Sequence, residues 1–356
     1  MDLTIEEKRA FMALTRLKGI NRQAKRQIAE LYPDIPRIFT PHPLDSQQQA
    51  AGIATRFHDW KGIDKDLALC EKLGVRIITI RDDSYPELLK HIPDAPLVLY
   101  ARGTFHPGPG TRIISIVGSR KASAEGINLA GKIGETLSFA GITVASGFAR
   151  GIDTAAHERA LTGSGKTVAV MGCGIDVCYP PENKGLLEKI IDEGLVLTEY
   201  SPGAAPLPFH FPERNRIIAG LSHGILVIEA AERSGSLITA RLGLEYGREV
   251  MAVPGSVLTT RHAGSNRLIK DGAKLIESVQ DVIFTCFPDI EFVPAEPVKL
   301  DSRENTIYSL IGFEKIHIDE VIERSAMNTS DVAALLTQLV VKNAVREVPG
   351  GFFIRR

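Results

Sequence analysis

Between residues 111 and 287 the chain alternates two patterns. Short, largely apolar runs, 113–117, 142–145, 167–171 and 225–229, are separated by longer stretches with apolar residues every three or four positions. Continuous apolar runs of strand length predict strands buried on both faces, and the 3.6-residue rhythm predicts covering helices such as 124–139. Strict alternation of the two predicts an α/β fold with a parallel sheet. Each run empties into small residues: Gly118-Ser119-Arg120, Ser146-Gly147-Phe148-Ala149-Arg150-Gly151, Gly172-Cys173-Gly174 and Ser234-Gly235-Ser236. In a parallel sheet these four turns share one edge, the carboxyl ends of the strands, where such folds bind ligands. Helix N-termini favour anions there, and Arg120 and Arg150 leave two of the turns, so the expected ligand carries phosphate. Four turns along one edge suit an extended ligand.

The flanks follow other patterns. Residues 1–62 read as a helical domain, with Lys8, Arg9, Arg16, Lys18, Arg22, Lys25 and Arg26 facing only Asp2, Glu6 and Glu7 in its first 28 positions. Its segment Leu17-Lys18-Gly19-Ile20-Asn21-Arg22-Gln23-Ala24 is similar to a helix–hairpin–helix turn; the plainer reading is a SAM-type docking module with a solvated basic face. Residues 63–287 form the main domain, in which 64–110 supply a helix, the strand 75–80 and further strands beside the main sheet. Residues 288–303 make a Pro- and charge-containing linker. In the last domain, 304–356, three short helices (304–311, 318–325, 331–341) precede a hairpin of 345–348 and 352–355, the winged-helix order. Thr329 or Ser330 is placed to cap the third helix. That helix offers Thr329, Ser330, Asp331, Thr337 and Gln338, and no Lys or Arg before Lys342, which favours protein contact or packing over groove reading.

Composition narrows the chemistry. The 356 residues carry a formal net charge of −1, so a site for a polyanion must be local. Aromatics make up 6%, too few for a general base-stacking platform. Cys70, Cys173, Cys178 and Cys286, in a chain without a signal peptide, predict a reduced cytoplasmic protein without a metal centre. No apolar run is long enough to span a membrane. Gly163-Ser164-Gly165-Lys166-Thr167 mimics a P-loop, but Ala160 stands where the signature needs Gly, and the segment precedes a strand rather than following one. Gly172-x-Gly174 starts a dinucleotide fingerprint that fails at Val177, and Tyr179-Pro180-Pro181 blocks an immediate helix. No cofactor is therefore expected.

Three groups of residues remain. Gly118-Ser119-Arg120 pairs close backbone approach with a hydroxyl and a bidentate guanidinium. Ser146, Gly147, Arg150 and Gly151 lead to Asp153, placed to cap the next helix; His157 has no partner that suggests a catalytic triad. Phe209-His210-Phe211-Pro212-Glu213-Arg214-Asn215-Arg216, read as a loop before an apolar helix at 217–221, combines guanidiniums, an amide and rings suited to phosphate and a stacked base. The bland alternatives are tight turns with surface arginines and a capped, salt-bridged loop.

Together with Gly174-Ile175-Asp176-Val177-Cys178-Tyr179-Pro180, Ser234-Gly235-Ser236-Leu237-Ile238-Thr239-Ala240, Val253-Pro254-Gly255 and Gly264-Ser265-Asn266-Arg267-Leu268-Ile269, these motifs resemble the DNA-processing protein A (DprA/Smf) family over residues 80–285. The resemblance implies an extended Rossmann-like, non-enzymatic domain that binds single-stranded DNA, forms a homodimer and loads the RecA recombinase during natural transformation. It also implies Arg120 as main phosphate anchor, with Ser146, Gly147, Arg214, Asn215, Gly235 and Ser236 in the same pocket. Pro181 stands where relatives often carry a basic residue; Lys184 is the expected substitute. The rival is a phosphoribohydrolase of the lysine-decarboxylase-like group, whose motif needs paired glycines and a Glu; Ser234–Ala240 has neither, and the next carboxylate is Glu245. An adaptor with a vestigial sheet edge is a third reading.

Overall fold

The computed structural model describes residues 3–39, 57–290, 300–312, 315–342 and 344–355. Among these, strands β1 (Arg76–Thr79), β2 (Val98–Gly103), β3 (Ile113–Val117), β4 (Thr143–Ser146), β5 (Thr167–Val170), β6 (Leu195–Thr198), β7 (Gly224–Val227), β8 (Glu249–Ala252) and β9 (Lys274–Leu275) build one sheet. Their order is β1-β2-β6-β5-β4-β3-β7-β8-β9. Strands β3 to β9 run parallel, and β1 and β2 extend the sheet antiparallel beyond β6. The apolar runs are buried on both faces because helices cover both. Ile113 and Val117 of β3 join one apolar cluster, and Ile114 and Ile116 the other. From β3 the chain winds outward through β4, β5 and β6, then returns past β3 to β7, β8 and β9. That reversal opens a crevice at the carboxyl ends of β3 and β7, the usual binding position in open α/β sheets.

The helices Ile5–Arg16 and Arg22–Leu31 are not a free-standing basic surface. Phe11, Met12 and Leu14 are fully buried in the same cluster as Ile63, Leu89 and Ile92. The expected solvated basic face is replaced by a network. Arg9 pairs with Asp64 (2.6 Å), Arg16 with Asp59 and Asp66, Arg22 with Glu213 (2.6 Å), and Lys8 with Asp82 (3.9 Å). Lys25 donates to the Thr15 carbonyl (2.6 Å), and Arg26 donates to the Ile92 carbonyl and pairs with Glu30.

The C-terminal unit has its own apolar cluster, including Ile307, Val321, Leu336, Leu339 and Phe353. Helices Ser302–Leu310, Ile318–Ser325 and Thr329–Val341 pack with a sheet of β10 (Ile316–His317), β11 (Val345–Val348) and β12 (Phe352–Arg355), ordered β10-β12-β11. The third helix is capped by Asn328 rather than Thr329 or Ser330: its Oδ1 accepts the Asp331 N–H at 2.9 Å, and the helix starts earlier than its apolar face.

Candidate functional site

A cleft of about 750 Å³ fills the crevice at the β3/β7 reversal. Gly118, Ser119, Arg120 and Lys121 line one side, Arg233, Ser234, Gly235 and Ser236 another, and Phe211, Arg214 and Asn215 the floor between. The turn after β3 is held by its own backbone. The Ser119 N–H donates to the Glu229 carbonyl (2.8 Å), and the Lys121 N–H donates to Ser119 Oγ (3.1 Å). Gly151, at φ 76°, lies directly beneath; a Cβ there would stand 2.4 Å from the Ser119 carbonyl. Two of the amides expected to face a ligand are thus committed to the fold, and the turn instead presents a side chain. Arg120 is exposed, has no ion-pair partner among the described residues, and sits 5.2 Å above the Phe211 ring. The carboxylate of Glu229, whose main chain holds this turn, makes no ion pair with it: it is buried and turned to the Ser123 N–H (3.0 Å) and Oγ (2.7 Å).

The expected loop at 209–216 is helical: the helix runs His210–Leu221. Pro212 marks a loop only in a helix interior; in the first turn its missing N–H removes no hydrogen bond. Helical spacing then sorts the segment by face. Phe211, Arg214 and Asn215 meet the cleft, and Asn215 Nδ2 reaches the Gly235 carbonyl (3.3 Å), joining floor to wall. Arg214 is 3% exposed and donates through Nη1 to the Gly147 and Val170 carbonyls; burial pulls its guanidinium down to about 10, still charged at neutral pH. Arg216 points the other way, buried against Glu199 and Asp94 (3.2 Å), so it belongs to the core and not to the cleft.

The remaining expected residues divide likewise. Ser146 closes β4, fully buried, its hydroxyl donating to the Ile116 carbonyl (2.6 Å). Asp153 is no cap: Gly151 occupies that position, and Asp153 Oδ2 turns back to accept the N–H groups of Gly147 (3.1 Å) and Ala149 (3.2 Å). Burial pushes its carboxyl up despite the pull of Arg214. Gly147 and Arg150 border a smaller recess beside the cleft, with Tyr179, Pro180 and the shared Arg120 and Phe211; there Arg150 pairs with Glu182. Gly174 is packed away, donating to the Ala204 carbonyl (2.9 Å). Lys184 is exposed at the start of the helix Lys184–Glu193 and lines neither cavity. Glu245 closes the helix Ser236–Glu245, at the end opposite the cleft.

Sequence reasoning missed three exposed cations in the lining, Lys121, Arg233 and Arg261, none ion-paired among the described residues. Lys121 and Arg233 adjoin motifs already singled out, and adjacency alone could have found them. Arg261 lies past the Val-Pro-Gly turn after β8, and no local pattern places it on this wall. With Arg214, five cations and a single carboxylate, the buried Asp153, line the cleft, a local excess of positive charge that the whole chain's charge conceals. Among the described residues, no cluster of His, Cys, Asp or Glu could hold a metal, and no described helix is long and apolar enough to cross a membrane.

A Rossmann-like sheet with a cationic cleft at its reversal point, flanked by a winged-helix unit, defines a polyanion-handling class. Residues 76–286 match the family described as DNA recombination-mediator protein A, and residues 293–351 the DprA winged helix domain. The chain belongs to that family, DprA/Smf. It is 48% identical over 205 residues to DNA processing protein DprA of Streptococcus pneumoniae, covering 58% of this chain and 72% of that one. It is 34% identical over 308 residues to Protein Smf of Escherichia coli, covering 82% and 80%. The X-ray structure of DprA from Streptococcus pneumoniae superposes with a TM-score of 0.67 at 37% identity, over 82% of this chain and 100% of that one. DprA from Helicobacter pylori, whose structure describes a single-stranded DNA binding mode, gives a TM-score of 0.54 at 27% identity, over 61% and 98%.

Proposed function

We propose that this chain is a recombination mediator that holds single-stranded DNA in the β3/β7 cleft and carries out no catalysis there. The observation that carries the reading is Arg120: a guanidinium at the mouth of the cleft with no ion-pair partner among the described residues, directly over an aromatic ring, with Lys121, Arg233 and Arg261 around it. A guanidinium grips phosphate bidentately, a ring offers its face to a base, and neither reads sequence. Arg214, Asp153, Ser146 and Gly151 hold the scaffold on which this pair stands. The DNA-binding mode described for the Helicobacter pylori relative supports the same ligand.

The finer reading rests on the family resemblance: the chain acts as a cytoplasmic homodimer that delivers its strand to RecA during natural transformation. Arg120→Ala tests the cleft. Oligothymidine affinity should fall by about 10- to 100-fold, the loss expected for one charge-assisted phosphate contact, while the melting temperature holds. The salt slope should flatten by about 0.7, the share of one phosphate contact on a single strand. Unchanged affinity overturns the cleft as the binding site. RecA filament growth on oligothymidine, with and without this protein, tests delivery; equal rates overturn it.

A further inference from the structure

We propose that the loop 255–262, which follows β8, is a second DNA-contacting wall: Arg261 holds a phosphate, and the tip residues Val257 and Leu258 pack against a nucleobase. This rests on the cleft being the DNA site.

The loop is stiff at its base. Asn266 clamps Gly255 from both sides, its Oδ1 accepting the Gly255 N–H (3.0 Å) and its Nδ2 donating to the Gly255 carbonyl (2.9 Å). The two limbs touch: a Cβ on Gly255 would lie 2.0 Å from the His262 ring, so only glycine fits. The return limb is a tight turn, Thr260–His262, leading into the helix Ala263–Lys270, and Ser265 Oγ ties that helix to the His262 carbonyl (3.1 Å). Above this base the tip is shaped by the Leu258 N–H donating to Ser256 Oγ (3.2 Å).

What the tip presents is unusual for a braced loop. Val257 is 87% exposed and Leu258 91%, more than any other large apolar side chain among the described residues. They are adjacent, and two and three residues later Thr260 and Arg261 line the cleft. A loop that needed only solubility would carry polar residues here. Continuity with the cleft names the occupant. A strand whose phosphates lie along Arg120 and Arg261 carries bases beside both, and base faces are the apolar surface such a strand brings. The first wall already combines a guanidinium with an apolar surface, Arg120 with Phe211. The second repeats that combination with Arg261 and the aliphatic pair. Arg261 also lies close enough to Glu125 to lower its carboxyl slightly, behind the larger effects of the Glu125 backbone and Ser123, and no ion pair forms.

The test compares oligothymidine with an abasic oligomer of equal length, using full-length protein. Val257→Ser/Leu258→Ser should weaken oligothymidine binding by about 3- to 10-fold, as expected when two exposed aliphatic side chains lose contact with a base. It should leave abasic binding and the salt slope unchanged. Arg261→Ala should weaken both ligands and flatten the slope by about 0.7. Wild-type binding of both ligands by both variants overturns the second wall. Arg120→Ala in the same series separates the two readings: if it still loses affinity, the cleft stands without the wall, and if it does not, the cleft reading itself has failed. A double variant that alters sedimentation while its DNA affinity per protomer is intact also overturns the proposal, because the tip is then a protein contact.

Discussion

The N-terminal helices and the cleft hold similar numbers of cations and use them in opposite ways. Arg9, Arg16, Arg22 and Arg26 each find a carboxylate, on 59–66, on the cleft helix, or one turn along their own helix. Arg120, Lys121, Arg233 and Arg261 find none among the described residues; the one acid whose backbone holds the Arg120 turn, Glu229, is buried with its carboxylate on Ser123. A run of basic residues therefore reports charge and not a site; what distinguishes a site is whether the neighbouring acids are already engaged. The cleft helix contains both cases three residues or fewer apart. On one face Arg214 and Asn215 meet the cleft, and on the other Arg216 and Glu213 bind the core and the N-terminal helices.

Arg216→Ala should produce the largest effect, and on stability alone. It leaves the largely buried Glu199 with only the more distant Arg22 (3.6 Å) and Asp94 with only the Tyr246 hydroxyl (3.1 Å), a loss approaching the about 3–5 kcal/mol that breaking a buried pair costs. Urea denaturation measures it. The folded fraction should bind oligothymidine as the wild type does. A variant that kept its stability and lost its ligand would erase the distinction between the two faces.

A smaller effect comes from the layer beneath the cleft. His157 is fully buried, its Nδ1 against Thr167 Oγ1 (2.6 Å), and burial, reinforced by Arg214, lowers its imidazole to about 3. The sign follows from where the proton binds. Above about 6.5 the ring is neutral whether the chain is folded or not, so stability is fully present. Between about 6.5 and 3 the unfolded chain takes up a proton that the folded chain refuses, and stability falls as pH falls. From pH 7 to 5 this group should remove about 2 kcal/mol, and His157→Gln should flatten that part of the stability curve. A curve identical to the wild type's would mean that the folded ring is protonated after all.

Much of this was legible in the chain. The strand at 113–117 and the helix at 124–139 end where their patterns end, since both are bounded by glycine, serine or a cap. Arg120 stood out because a Gly-Ser turn between a buried strand and a helix has one usual purpose in such folds. The rest was hidden by competing local signals. Pro212 imitated a loop, and so the helical sorting of Arg214 from Arg216 could not be foreseen. Ser146 and Gly174 read as ligand-facing because they adjoin glycines, whereas their polar groups satisfy Ile116 and Ala204. Arg261 reaches the cleft only through the fold of a loop that begins at another strand.

The weakest expected effect is the sharpest control. Arg22 meets Glu213 at 2.6 Å, where both side chains are about two-fifths exposed and water screens the pair, and it reaches the more buried Glu199 only at 3.6 Å, beyond hydrogen-bond distance. Arg22→Ala should therefore cost no more than about 1 kcal/mol. Its consequence for DNA is the informative part. Arg22 is a cation close to the helix that carries Phe211, Arg214 and Asn215, and long-range attraction alone would predict weaker binding when it is removed. If binding instead depends on guanidiniums that touch phosphate, the salt slope of Arg22→Ala should superimpose on that of the wild type, where Arg120→Ala flattens it by about 0.7. A salt titration of the two variants side by side decides: equal flattening would mean that the N-terminal helices belong to the DNA surface, and that the division between paired and unpaired cations does not mark the site.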